Sequence, residues 1–204
     1  MILKLSDLIT KYNLDIKGVI HIGAHHGSEH KLYKEQMINN LMYFEPIKNN
    51  FEVLKSVVGD EGVLYNMALG SSKGEFKMFT EDSNKGMSCS LLKPKTHIHQ
   101  YPGIVFNSEE IVQVEKLDNI PFDRNDYNFL NIDVQGFELE VFKGGIDTLL
   151  SIDCINAEVN RAELYENCPM VDELDTFLKS FGFDRVETDW MGGTWGDAFY
   201  IKNK

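Results

Sequence analysis

The chain has 204 residues, 43% hydrophobic and 25% charged, a composition that supports one substantial core and is short for two domains. Thirty-two acidic against twenty basic side chains give a formal net charge of -12, which repels a phosphate backbone and argues against duplex nucleic acid as a partner. The opening MILKLSDLITKYNLD lacks the uninterrupted apolar region of a signal peptide, and no run approaches the roughly 18 apolar residues of a membrane span, so a cytoplasmic location is expected. Cys89, Cys154 and Cys168 are odd in number and lack CxxC spacing, which fits small buried hydrophobes better than a disulfide framework or structural zinc.

Leu5, Leu8, Ile9 and Tyr12 fall at i, i+3, i+4 and i+7, so residues 1–17 are expected to hold an amphipathic helix covering the edge of a sheet. GVIHIGA is a short apolar run that reads as a strand, and SEHKLYKEQMIN after it reads as a helix capped by Ser28. LMYFE is then a strand, IKNNFEVLKSVV a helix with Phe51, Leu54 and Val58 on one face, and VLYNMAL a third strand. Residues 70–119 alternate the β-like pieces GEFKMFTE and EIVQVEKL with a polar stretch holding Pro94, Pro102 and Gly103, the place expected for a substrate-covering insertion. YNFLNIDV is the fourth strand, GFELEVFKGG a helix closed by Gly144 and Gly145, and IDCINAEV the fifth strand. Val171, Leu174, Phe177, Leu178 and Phe181 mark a last helix, and DRVETDW and DAFYIKN around Gly192 and Gly193 form a terminal β-hairpin. This order predicts one α/β domain over 1–204, a mostly parallel doubly wound sheet with an antiparallel hairpin at its end.

Ligands of such sheets bind outside the carboxyl ends of the strands, where strand order reverses, so those ends carry the candidate residues. The first strand ends in GAHHG, where Gly23 and Gly27 let the backbone approach a ligand and the following helix offers free N–H groups. Glu45 ends the second strand 22 residues after Gly23, close to the roughly 20-residue spacing of a ribose-binding acid. Asp133 ends the fourth strand in NIDVQGFELE, and Glu158 lies in the fifth in INAEVN. A lone acid at a strand end is commonly only a helix cap, and Glu45 alone could be a solvated acid, a reading the glycines before it disfavour; four strand ends with ligand-type groups in order point to one site.

Together these residues resemble the FkbM-type methyltransferases, a branch of the S-adenosylmethionine-dependent enzymes. The resemblance covers nearly the whole chain from Val19, on VIHIGAHHG, YFEP, NMALGSSKGEFKMF, SCSLL, VEKLDNI, NFLNIDVQGFELEVFKGG and the AEV strand. It implies a Rossmann-like class I methyltransferase fold with a seven-stranded sheet, and S-adenosylmethionine as cofactor. By the same resemblance Gly23, Ala24 and Gly27 would cradle the methionine part of that cofactor, Glu45 its ribose, and Met67 and Ala68 its adenine, while Asp133 and Gln135 would border the methyl-transfer centre. His21 stands where methyltransferases of this type often carry an acid that orders the cofactor's amino-acid end. His25 stands where many relatives have asparagine and would contact the cofactor.

The family's usual acceptors are hydroxyls of sugars, glycans and secondary metabolites. A protonated hydroxyl is a poor nucleophile, so a base is expected: Asp133 or Glu158, with His97 or His99 as outside candidates. A variant reading has Asp133 and Glu158 hold Mg²⁺ to acidify and orient the acceptor. Trp190 and Trp195 would give a sugar ring a flat wall, or else pack the hairpin on the sheet. His26 and His30, at i and i+4, have metal-ligand spacing but no HExxH context, and His97 and His99 share a side if THIHQ is a strand, with a polar surface loop as the plainer reading. Two rival functions are a nicotinamide-dependent sugar oxidoreductase, for which Tyr200 and Lys204 supply a Tyr-x-x-x-Lys pair, and a non-catalytic binding module on the same fold.

Overall fold

The computed structural model describes residues 2–203. In chain order the elements are α1 (Leu5–Tyr12), β1 (Gly18–Ile22), α2 (His30–Glu35), β2 (Asn40–Phe44), α3 (Lys48–Val58), β3 (Val63–Tyr65), β4 (Ala68–Leu69), β5 (Gly74–Glu81), α4 (His97–Gln100) and β6 (Phe106–Glu115). There follow β7 (Phe129–Ile132), α5 (Glu138–Lys143), α6 (Ile146–Leu149), β8 (Cys154–Asn160), α7 (Val171–Lys179), β9 (Phe183–Met191) and β10 (Trp195–Lys202). Seven strands form one sheet in the order β3-β2-β1-β7-β8-β10-β9, parallel up to β8 and antiparallel through β10 and β9. β4, β6 and β5 form a second, three-stranded sheet.

Strand geometry divides the apolar runs between the two faces. Ile20, Ile22, Met42, Phe44, Leu130, Ile132 and Ile155 pack with Val141 and Phe142 of α5, Leu149 of α6 and Leu174 and Leu178 of α7. Their neighbours Val19, Leu41, Tyr43, Phe129 and Cys154 face the other way, against Leu5 and Leu8 of α1, Tyr33 of α2 and Leu54 and Val58 of α3. The strand order reverses between β1 and β7, with chain crossing to opposite sides, so a crevice opens at their carboxyl ends.

On the α1–α3 face the register changes character stepwise toward that rim. The lower rung, Leu41–Val19–Phe129–Cys154, is apolar; the next, Tyr43–His21–Asn131–Asn156, is polar. Two residues further along each strand stand Glu45, Gly23, Asp133 and Glu158. One face of one sheet thus grades from core to ligand-type groups.

Several local expectations are corrected. The helix after β1 is shorter than 28–39 and Ser28 does not cap it: Glu29 holds the cap position, the Ser28 hydroxyl donates to the Glu29 carboxylate, and the chain leaves the helix through Met37 at φ 59°. VLYNMAL is two strands, because the Asn66 amide donates to the Glu45 and Pro46 carbonyls (2.9 and 3.0 Å) and turns the chain from β3 into β4 of the second sheet. THIHQ is a helical turn, so His97 is buried while His99 is exposed. α6 follows Gly145 where no separate helix was expected. α1 packs on the sheet face as well as near its edge, with the Tyr12 hydroxyl donating to Glu187 of edge strand β9 at 2.6 Å. Among the described residues no helix is long and apolar enough to cross a membrane, and the three cysteines are free and buried.

Candidate active site

The carboxyl ends of β1, β2 and β7 open into a single cleft. His21, Gly23, Ala24, His25, Glu45, Met67, Ala68, Asp133 and Gln135 line it, and Met78, Gly86, Met87, Cys89 and Leu91 from the 70–119 segment wall its other side. Gly23 sits at φ +80°, and a Cβ there would lie 1.8 Å from the Asp133 carbonyl oxygen, so the turn and the end of β7 touch backbone to backbone. The Gly23 and Ala24 N–H groups both donate to the Phe44 carbonyl at 3.0 Å, fixing the turn to β2. Gly27 has a similar backbone, φ +74°, but its missing Cβ makes room for Leu54 of α3 rather than for the cleft.

Glu45 is 4% exposed, and its two oxygens accept the N–H groups of His25 (2.9 Å) and Ile47 (2.8 Å). Burial pushes its carboxyl up to about 7, against the bonds that favour the charge. Between the ordinary value of 4.5 and about 7 the folded chain therefore binds more protons at Glu45 than the unfolded chain does. This contribution to the stability of the ligand-free protein falls as pH rises through that window, by up to about 3 kcal/mol. Denaturant titrations from pH 4.5 to 7 are expected to show the decline, with a shallower slope in Glu45→Gln.

At the end of β7 the chain turns through Gln135 at φ 55° and Gly136 at φ +94°. The turn sets the Gln135 amide between two acids: its Nε2 donates to Asp133 Oδ1 (2.8 Å) and Glu158 Oε2 (2.7 Å). Its Oε1 accepts from the Tyr165 hydroxyl (2.8 Å), and its backbone carbonyl accepts from the Ser90 hydroxyl (2.7 Å). Glu158 lies behind the cleft wall, 3% exposed, where burial and then the Asp133 charge hold its carboxyl well above the usual carboxylate range. Asp133 is the exposed member of the pair. Glu138 accepts the Val134 and Gly136 N–H groups (3.0 and 3.1 Å), and burial raises it to about 7. It fastens the turn.

Mg²⁺ does not fit Asp133 and Glu158 as they stand. The Gln135 –NH₂ already donates to both carboxyl groups, and burial with the Asp133 charge beside it raises the Glu158 pKa and so disfavours its charged form, whereas Mg²⁺ demands ionised oxygens in near-octahedral array. Among the described residues there is no group of three or more His, Cys, Asp or Glu side chains that could hold a metal.

None of the other histidines, His26, His30, His97 and His99, lines the cleft. His97 lies off the cleft among the rings of Tyr101, Phe106 and Tyr165 (centroids 5.1, 5.3 and 5.4 Å away), and burial lowers its pKa. His30 bonds the Tyr43 hydroxyl (2.8 Å) and Glu61 (3.1 Å), and His26 bonds the Asn50 side chain (3.2 Å), so the pair does not converge on a shared ligand. Trp190 is stacked under the Arg161 guanidinium at 3.6 Å and Trp195 donates to the Tyr101 hydroxyl at 2.7 Å; both are half-buried and neither lines the cleft. The Tyr200 hydroxyl donates to Asp175 (2.9 Å), away from the cleft, and Lys204 lies outside the described residues.

The structure adds a floor that sequence reasoning missed: Asn131, Asn156, Asp197 and Glu29. The Asn156 amide donates to Asn131 Oδ1 (2.9 Å), Asn131 to the Tyr33 hydroxyl (2.8 Å), and that hydroxyl meets His21 Nδ1 (3.2 Å). Burial lowers the His21 imidazole to about 4, so it is neutral. Two amides inside the otherwise apolar runs FLNI and CINAEV were the available signal.

The methyltransferase FkbM domain family model matches residues 21–185. The chain is 25% identical over 196 residues to the 2-O-methyltransferase NoeI of Sinorhizobium fredii, covering 91% of this chain and 79% of that protein. Among solved structures it is similar to Streptococcus pneumoniae Sp1610 in complex with S-adenosyl-L-methionine (TM-score 0.54, 13% identity, 100% of this chain and 74% of that one). The magnesium protoporphyrin IX methyltransferase ChlM of Synechocystis PCC 6803 with bound S-adenosylmethionine is similar at TM-score 0.53 and 10% identity, over 97% of this chain and 76% of that one. These likenesses carry the class I fold, with its terminal antiparallel hairpin, and the family model carries the kinship. The chain belongs to the FkbM methyltransferase family and is an S-adenosylmethionine-dependent methyltransferase.

Proposed function

We propose that the protein methylates a hydroxyl of a sugar or glycan acceptor, with Asp133 as the base. The observation that carries this reading is the Asp133–Gln135–Glu158 cluster: an exposed carboxylate at the cleft, aimed by an amide that also holds a buried acid whose pKa burial raises. The name of the S. fredii relative, a 2-O-methyltransferase, supports oxygen as the acceptor atom. The cofactor supplies an electrophilic methyl group on a positively charged sulfur. In this reading Gly23, Ala24 and His25 hold its amino-acid side, Glu45 its ribose hydroxyls, and Met67 and Ala68 the adenine, with Gly27 shaping the turn from behind. The 70–119 segment covers the bound substrate.

Asp133 would then take the proton of the acceptor hydroxyl, leaving that oxygen free to receive the methyl group the cofactor would supply. Alignment of the reacting atoms to about 3–3.5 Å supplies most of the acceleration, and the base roughly 10² to 10⁴ more. Mass spectrometry of glycans from cells with and without the gene is expected to show the loss of one methyl group from a hydroxyl when the gene is absent. An unchanged glycan pool together with a methylated nitrogen or carbon product would replace this reading.

A further inference from the structure

The cleft is graded in polarity. One end is walled by Met67, Ala68, Leu69 and Met78, which suit a flat heterocycle; the other is floored by His21, Asn131, Asn156 and Asp197. A ligand that carries an adenine at one end and an amino acid at the other would lie along this gradient. Its ammonium then needs acceptors at the polar end. His21 offers no charge, since its imidazole is neutral and its Nδ1 is engaged with the Tyr33 hydroxyl.

We propose that Asp197 of β10 and Asn156 of β8 together receive the α-ammonium of the S-adenosylmethionine amino-acid end. This rests on the cleft being the methyl-donor site. β10 runs antiparallel to β8, with Phe199 opposite Asn156 and Asp197 opposite Glu158, so Asp197 stands on the polar face one step nearer the rim than Asn156. Asp197 is 5% exposed and lines the cleft, and its carboxyl group accepts the Ile2 backbone N–H and the Asn156 amide, so it already serves N–H donors. Asn156 is 2% exposed and lines the same floor, and its Oδ1 has no hydrogen-bond partner while its Nδ2 faces Asn131 and Asp197. A buried acceptor is costly to leave unmatched, and an ammonium carries three donors. Among the described residues no lysine or arginine lines the cleft to compete for these acceptors.

The test is isothermal titration calorimetry with S-adenosylhomocysteine and with its analogue lacking the α-amino group. The natural protein should prefer the amine by about 10- to 100-fold, the range expected for hydrogen bonds to a charged group. Asp197→Asn and, separately, Asn156→Ala should erase most of that preference by weakening S-adenosylhomocysteine while leaving the deaminated analogue unchanged, which also shows that each variant is folded. A preference that survives in both variants overturns the proposal, as does one that disappears in Glu29→Gln but persists in Asp197→Asn. If the natural protein binds neither nucleoside, the assignment of the cleft to the methyl donor falls instead.

Discussion

Gly23→Ala is expected to abolish S-adenosylhomocysteine binding and to destabilise the fold, while Gly27→Ala does neither to the same degree. Both glycines have positive φ, so alanine at either position takes on a left-handed backbone cost of roughly 1–2 kcal/mol. The neighbours decide the difference. At Gly23 the new methyl would lie 1.8 Å from the Asp133 carbonyl oxygen, part of the backbone leaving β7, which is pinned by the Asp133 N–H bond to the Ile22 carbonyl. Relief requires β1 and β7 to part at the point where the cleft forms. A total loss of about 3 kcal/mol or more follows, equivalent to a fall of about 6–12 °C in Tm for a chain of this size. At Gly27 the methyl meets Leu54 Cδ1 at 2.8 Å, the end of a side chain that can rotate. Thermal unfolding and calorimetry on the two variants check the contrast; equal losses in both would mean that the close approach of Gly23 to β7 does not shape the site.

The same pair shows what the sequence can and cannot specify. GAHHG announces a tight strand-to-helix turn, because two glycines after an apolar run have few other uses, but nothing in it separates the glycine facing the ligand from the one facing α3. Glu45 and Asp133 were legible because each ends an apolar run, and a polar residue at that place reaches the rim of a parallel sheet. Asp197 was not. It opens an apolar strand, and its arrival at the same rim depends on β10 running antiparallel to β8, a fact of pairing rather than of local pattern. Asn131 and Asn156 fall in register only after β7 and β8 are paired. VLYNMAL misled because its apolar continuity hides a change of sheet at Asn66, and THIHQ, read most plainly as a polar surface loop, is a helical turn whose His97 packs against Tyr165 and Phe106. The folding-in of Met78 and Met87 beside the cleft is likewise tertiary, set by how β5 pairs with β6.

Asp133→Asn should lower kcat by about 10² to 10⁴ with little change in S-adenosylhomocysteine affinity, whereas Glu158→Gln should cost less than about tenfold. The asymmetry follows from which acid is buried and which faces the cleft. Glu158 is buried and its pKa is raised, which favours its neutral form, so a glutamine keeps its volume and its capacity both to donate toward Asp133 and to accept from Gln135 Nε2. Asp133 is the exposed acid, and its replacement by an amide removes the only carboxylate that the cluster presents to a hydroxyl in the cleft. The Gln135 amide would rotate or lose a partner in Asp133→Asn, but its bonds to Glu158 and Tyr165 keep the turn in place, so the cofactor walls stand. Single-turnover rates measured at saturating S-adenosylmethionine separate the chemical step from binding. Equal and large losses in both variants would assign the two acids to one ionised pair, and full turnover in Asp133→Asn would move the base elsewhere in the cleft.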